Sequence, residues 1–337
     1  MSDLKFFKMK NIFHILLNSL VLLYMSLAYG LGIWSITKPQ WLLNSVGVIL
    51  IVHALLLSAM MTHEFIHGTV FQSQSLNNLL GNIMTHINGA CYIPYATIAQ
   101  NHFYHHVWHV DRIPFDYEQF VKNFPPIIRK ICVALEWCYF PIFGIILRWR
   151  CLVTPFINQT ERRWRVFICL VYRGILFGIL AIISPKAIVL YAISYVCFTL
   201  VMRAIETFQH TYEYWISDIE PPARIRQSSP KENRLYEQTN TFSGVIATGY
   251  FSWLNLIYLN FGYHNAHHHD MRTPWYKLPQ LHNSLYGEEA KNILLLPKMA
   301  GNYHRFRVAR LLGIEQGDVS SLNDFAGAIG ISLLTPP

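Results

Sequence analysis

Residues 61–70 read MTHEFIHGTV and contain the pattern H-E-x-x-H. On a helix this spacing sets His63 and His67 on one face, able to grip one metal ion, with Glu64 as the general base of a zinc protease. Three further segments repeat the theme. HFYHH carries His102, His105 and His106, ETFQH carries Glu206 and His210, and HNAHH carries His264, His267 and His268. In each, ligand-type side chains stand three or four residues apart, which predicts two or three donors aimed at one point from a single helical turn. Nine imidazoles and a carboxylate exceed the three or four ligands of one zinc and suit two metals of about five or six ligands each. Imidazole serves iron, zinc, copper and nickel alike. A two-metal, nitrogen-rich site beside a lipid bilayer points to iron and dioxygen. The protease reading leaves seven clustered histidines without a role, and GTVFQSQS after HEFIH supplies no third histidine.

The elements that must position these residues are apolar. Hydrophobic residues make up 53% of the 337 and charged residues only 14%, against about 25% charged in an average soluble domain. Mean hydropathy is +0.25. This is the composition of an integral membrane protein. The net charge of +8 is then an excess of Lys and Arg on the cytoplasmic side rather than a nucleic-acid surface. The six cysteines form no C-x-x-C pair and read as buried small hydrophobes.

Four stretches are long enough to cross a bilayer, which takes about 20 apolar residues: 12–34, 41–61, 166–184 and 187–205. The first is too long for a cleaved signal and reads as a retained span. SITKPQ joins the first pair and SPK the second, so two tight hairpins are expected. Lys5, Lys8 and Lys10 place the N-terminus inside, and Arg148, Arg150, Arg162, Arg163 and Arg165 place that loop inside as well. The stretch 127–147 therefore starts and ends inside and should lie in the interface or re-enter. The stretch 244–261 is the other ambiguous apolar segment. The expected fold is an all-α integral membrane protein of one domain over 1–337. Four transmembrane helices carry a cytoplasmic helical cap (about 62–165 and 206–337) that holds a dinuclear metal site. The loop from Asp218 to Asn233 is polar, Pro-rich and expected to be mobile. An intramembrane protease is disfavoured, because the four spans carry no acidic residue.

The histidine pattern resembles the membrane fatty acid desaturases and related hydroxylases. Their three boxes run HxxxH or HxxxxH, then HxxHH, then HxxHH, and all three occur here in order. The local wording HEFIHG, NHFYHH and YHNAHHHDMRTPWYKLP is similar too. The resemblance covers roughly residues 40–285 and leaves the last 50 without a usable motif. It implies two Fe2+ ions held by His63, His67, His102, His105, His106, His210, His264, His267 and His268. In some relatives an Asn–His pair precedes the third box; here Glu206 and His210 hold that place, so Glu206 changes the charge of the site. The resemblance further implies dioxygen as co-substrate and removal of hydrogen from an unactivated C–H bond of an acyl-lipid, acyl-CoA or acyl-carrier substrate. The outcome is a double bond, or a hydroxyl if the enzyme is a hydroxylase or another oxygenase acting on carotenoids or sphingolipids. No haem-binding HPGG segment is present, so a separate ferredoxin or cytochrome b5 donor is expected. So is a multi-pass location, in a bacterial inner membrane by preference and otherwise the endoplasmic reticulum.

Metal-bound histidines usually give their other N–H to a carboxylate or carbonyl. Glu64, Asp111, Asp116, Glu213 and Asp270 lie near the boxes and are candidates for that task. His14, His53, His86, His282 and His304 read as structural. His109 and His269 abut boxes but fall outside the spacing, although a register using His268 and His269 is an alternative. Trp108, Trp253 and Trp275 are candidate walls of an acyl tunnel.

Overall fold

The computed structural model describes residues 2–113, 115–157, 160–216, 220–287, 293–312, 317–318, 324–327 and 333–334. In chain order the elements are α1 (Ser2–Ile36), α2 (Trp41–Ile66), α3 (Gln74–Asn88), α4 (Tyr95–Trp108), β1 (Val110–Ile113), α5 (Tyr117–Lys122), α6 (Pro126–Trp137) and α7 (Ile142–Ile157). They continue with α8 (Arg163–Ile183), α9 (Pro185–Glu206), β2 (Glu213–Ile216), α10 (Ala223–Gln227), α11 (Pro230–Asn240), β3 (Ser243–Val245), α12 (His264–His269), α13 (Leu278–Tyr286), β4 (Ile293–Leu295), α14 (Leu296–Leu311), β5 (Gly317–Asp318) and β6 (Asp324–Phe325). The chain is mostly helical, as expected, but the strands were not: they pair only in twos, β1 with β2, β3 with β4 and β5 with β6.

The chain divides into two compact units. The first comprises residues 1–95 and 162–198, and so takes in residues 62–95, which composition assigns to the cap. Four helical segments are long and apolar enough to cross a membrane: Ile12–Ile36, Trp41–Ile66, Thr160–Ile183 and Pro185–Glu206. They differ from the expected spans by a few residues at one or both ends, and α2 runs on to Ile66, so that it carries His63 in its last turn and His67 as its C-cap. On α1, Leu16, Leu20, Leu23, Leu27 and Leu31 are exposed, as are Ile168, Ile175, Ile179 and Ile182 on α8. Hydrocarbon solvates such faces at no cost and water does not. Small residues let α1 and α2 approach: a Cβ on Gly47 would lie 2.9 Å from the Gly32 carbonyl oxygen. Lys186 at the start of α9 donates to the Lys38 carbonyl and to Asn44 Oδ1, both at 2.6 Å.

The second unit comprises residues 96–161 and 199–337. Here α6 and α7 together are apolar enough for a span but are bent by 116°, the geometry of either a broken span or a re-entrant segment. The bend has a charged cause. Glu136 at the end of α6 is buried, accepts the Phe143 backbone N–H of α7 at 3.1 Å, and pairs with Arg203 at 2.5 Å. A straight helix would carry that carboxylate away from both partners. Ile113, Val121, Cys132, Phe143 and Leu147 pack in the angle. The 244–261 stretch is not a long helix either. It runs as β3, a 3-10 helix over Gly249–Tyr258 and a left-handed turn at Leu259 and Asn260.

The expected mobile loop is instead largely helical. Asp218 and Ile219 lie outside the described residues, but α10 and α11 follow. Ser229 and Glu232 form a reciprocal capping box at the start of α11, with Pro230 in its first turn. The prolines and serines that signal a loop are here the start signals of a helix.

Candidate metal centre

Each histidine box is positioned by a helix and by whatever stops that helix. α4 carries His102, His105 and His106 in its last two turns and ends at His109, which takes a left-handed conformation (φ 48°) and turns the chain into β1. β1 pairs in parallel with β2, Val110 opposite Glu213 and Asp111 opposite Tyr214. That register draws the end of α4 alongside the segment following α9, which bears His210. An isolated bridge then links His210 to Thr241, just before β3. Ser243 of β3 accepts the Asn265 backbone N–H through Oγ at 3.2 Å and so holds α12, the third box. Gly262 is obligatory there, because a Cβ would lie 2.1 Å from the Gly244 carbonyl oxygen.

The result is two groups of imidazoles in this unit. His105, His210, His264 and His268 form one, with ligand atoms all within 4.8 Å of one another. Nε2 of His105 lies 3.0 Å from that of His210 and 3.2 Å from that of His268, and Nε2 of His210 lies 2.5 Å from that of His264. The other group contains His102, His106 and His267, with Nε2 of His106 3.1 Å from Nε2 of both others. Boxes two and three each aim two of their three histidines at one group and the third at the other. Box two sends His105 to one group and His102 with His106 to the other, and box three sends His264 and His268 one way and His267 the other. Side chains at i and i+4 share a helix face and those between are rotated from it, so one turn straddles two centres.

Carboxylates fix the protonation pattern. Nδ1 of His105 donates to Asp111 Oδ1 at 2.9 Å. Nδ1 of His268 faces Glu237 Oε1 at 3.4 Å, and Nε2 of His109 faces the same oxygen at 3.3 Å. A neutral imidazole has one N–H, so His105 and His268 turn lone pairs toward each other at 3.2 Å. Two facing lone pairs repel unless a cation lies between them. A proton is a poor candidate. Burial first, then the neighbouring imidazoles, hold His102, His210 and His264 well below the usual histidine range, and burial brings His268 down to about 4. For Glu237 burial is the largest influence and raises the pKa, but hydrogen bonds from His109 and His268 outweigh it and bring the carboxyl down to about 2. The donor set thus converges, includes four imidazoles that burial keeps neutral, and is backed by carboxylates at His105 and His268, which fits a divalent metal.

The remaining site candidates fall as follows. In the first unit His63 and His67 lie at the end of α2, buried, with ring centroids 4.6 Å apart. Glu64 Oε2 accepts the Thr69 hydroxyl at 2.6 Å and its Oε1 lies 3.6 Å from His63 Nδ1. Glu206 stands outside the four-histidine group, and its Oε1 accepts the Leu333 backbone N–H at 3.3 Å. Asp116 caps α5, Glu213 pairs with Arg224, and Asp270 holds its own turn through Arg272 N and the Thr273 hydroxyl. Of the five carboxylates near the boxes, Asp111 bonds a histidine of these groups. His269 is exposed, so the matched register of box three is the one used. Trp275 is buried, Trp108 stacks on Tyr104, and Trp253 is exposed.

Glu237 is what sequence reading misses. It lies on α11, four residues beyond the stretch taken for a loop, thirty-one residues before His268 and outside every box. The C-terminal segment is missed too. Phe325 packs on Phe208 and Phe242, and Gly327 donates its N–H to the Thr207 carbonyl at 2.9 Å, backing the turn that carries His210.

The sequence model of the fatty acid desaturase family matches residues 39–296, more than three quarters of the chain. The chain belongs to the fatty acid desaturase family. No curated protein and no solved structure matches it. Membership makes this desaturase-family chain an oxidoreductase of the desaturase and hydroxylase type, metal-dependent and acting on lipid in a membrane setting. The four apolar helices and the histidine groups agree with that.

Proposed function

We propose that this chain is a membrane-bound, di-iron acyl-chain desaturase that uses dioxygen to introduce a double bond into a lipid acyl chain. The observation that carries the reading is the pair of converging, neutral imidazole groups, with His105 and His268 backed by Asp111 and Glu237. His105, His210, His264 and His268 are assigned to one iron. His102, His106 and His267 are assigned to the other, and His63 and His67 are assigned as metal ligands by the histidine-box pattern. Glu206 is assigned to the metal site as the carboxylate four residues before His210, in the place that an Asn holds in some relatives. Bound iron supplies dioxygen activation and removal of hydrogen from an unactivated C–H bond.

The chain's own residues do the rest. Asp111 and Glu237 hold the Nδ1 protons and thereby fix which ring nitrogen faces inward. Burial keeps the imidazoles uncharged and excludes water. The four apolar helices suit a bilayer that supplies the substrate. The basic residues between Arg148 and Arg165 support a cytoplasmic active site, with electrons from a separate ferredoxin or cytochrome b5 type of donor.

The test is expression in a host of defined lipid composition, followed by mass spectrometry of its fatty acids. Wild type should yield product lacking two hydrogens, and His105→Ala and His267→Ala should yield none. Product carrying one added oxygen would instead make the enzyme a hydroxylase. Equal product from wild type and both variants would defeat the metal assignment.

A further inference from the structure

A second constellation of reactive side chains lies within the first unit and has no part in the iron site proposed above. The ligand-type atoms of His86, Cys91 and Cys169 all lie within 4.8 Å of one another. Both thiols are buried. Cys91 Sγ accepts from the Tyr172 hydroxyl at 3.4 Å and faces Arg173 Nη1 at 3.9 Å. Tyr172 Oη lies 2.5 Å from Nδ1 of His86. Arg165 Nε donates to the Cys91 carbonyl at 2.8 Å, and the Cys169 thiol approaches the same oxygen at 3.6 Å. The segment after α3 is thereby clasped to the first two turns of α8.

Two thiols and an imidazole could hold a soft cation or do sulfur chemistry, and the surroundings decide. Among the described residues, the charged groups that bond the constellation are the guanidiniums of Arg165 and Arg173, with no carboxylate beside them. Guanidinium charge repels a metal ion and stabilises a thiolate. Nδ1 of His86 also engages Tyr172, whose hydroxyl donates to Cys91 Sγ. Both features favour an anionic sulfur at Cys91 beside a second thiol.

We infer that Cys91 and Cys169 are an oxidisable dithiol that closes to a disulfide on reaction with a peroxide. The Cys91 thiolate attacks hydrogen peroxide, an S–O bond forms as the O–O bond breaks, and the released hydroxide takes up a proton as water. The Cys169 thiol then attacks the sulfenic sulfur, the S–S bond forms, and the second oxygen leaves as water carrying the thiol proton. Two thiols and one peroxide become one disulfide and two waters, the sulfurs losing the two electrons that the peroxide gains. The Cys91 thiol is held well below its usual range, first by its hydrogen bond with Cys169, then by His86, Tyr172 and the Arg173 charge, with burial opposing. Burial also restricts the reagent to small oxidants. The two sulfurs, within 4.8 Å of each other, close to a bond length of about 2 Å.

The full-length protein, purified in detergent, is treated with graded hydrogen peroxide, alkylated under denaturing conditions and digested for mass spectrometry. The expected result is a Cys91–Cys169 linked peptide that dithiothreitol reverses and that appears at lower peroxide than oxidation of the exposed Cys138. Cys169→Ser should instead leave Cys91 trapped as a dimedone adduct, and Cys91→Ser should lose both products. Recovery of both thiols at a dose that oxidises Cys138 would overturn the inference. So would zinc or copper bound in wild type and lost from both serine variants, which would make the cluster a metal site. None of these readouts uses lipid product, so they stand or fall apart from the desaturase assignment.

Discussion

His105 gives its Nδ1–H to Asp111 at 2.9 Å, and β1, which carries Asp111, begins two residues after α4 ends. The acceptor for a metal-facing histidine is thus delivered by the same turn that stops its helix. Asp111→Ala should free the ring of His105 to rotate or change tautomer while leaving every imidazole in place. Carboxylate partners of this kind are worth about 10- to 100-fold in metal affinity. Iron content after dialysis against a graded chelator should fall accordingly, and Asp111→Asn, which keeps an acceptor, should lose less. Unchanged retention in Asp111→Ala would remove this residue from the account.

Sequence pattern shows the spans and boxes because both rest on local periodicity. Apolar runs of twenty residues and histidines at i, i+3 and i+4 need no knowledge of what lies across the fold. The reading of 127–147 as a segment that does not cross rests on the basic residues to either side of it, and no local signal announces its bend. What was not legible depends on distant partners. Glu237 matters because α11 packs near His268, and nothing in RLYEQTN announces it. The splitting of boxes two and three between two groups is a matter of helix rotation, which spacing alone leaves free. The role of Gly327 depends on where a segment without a motif returns.

Glu136 and Arg203 are both buried and 2.5 Å apart, with Glu136 also accepting the Phe143 backbone N–H in the first turn of α7. Removing one partner strands the other charge away from water, which costs about 3–5 kcal/mol. Glu136→Ala should therefore lower the melting temperature sharply. Replacing both residues by apolar ones of similar size should recover part of the loss. Thermal melts of the single and double variants in the same detergent check this.

Gly327 stands where a Cβ would lie 2.2 Å from the His210 carbonyl oxygen and 2.6 Å from that of Thr207. Both are backbone atoms, so no side-chain rotation relieves the clash. Gly327→Val should push back the turn that carries His210 and cost metal from the His105 group, although the residue touches no ligand side chain. Metal analysis of the purified variant should show the deficit. A mutation in the last dozen residues that empties a site built from three distant boxes would tie the C-terminal segment to function.

His102 and His105 share one box and one turn of α4, yet they face different groups: His102 approaches His106 at 3.1 Å and His105 approaches His210 at 3.0 Å. If a box were a single clamp, replacing either residue would have the same result. The split geometry predicts different results. His102→Ala should weaken the metal held with His106 and His267, and His105→Ala the one held with His210, His264 and His268. Each single variant should therefore keep about half the wild-type iron, and the double variant close to none. Mössbauer spectra of iron-57-loaded protein resolve the two cases, since the surviving signal should differ between His102→Ala and His105→Ala. Identical residual spectra would mean that the two histidines serve the same ion, and the division of each box between two centres would be wrong.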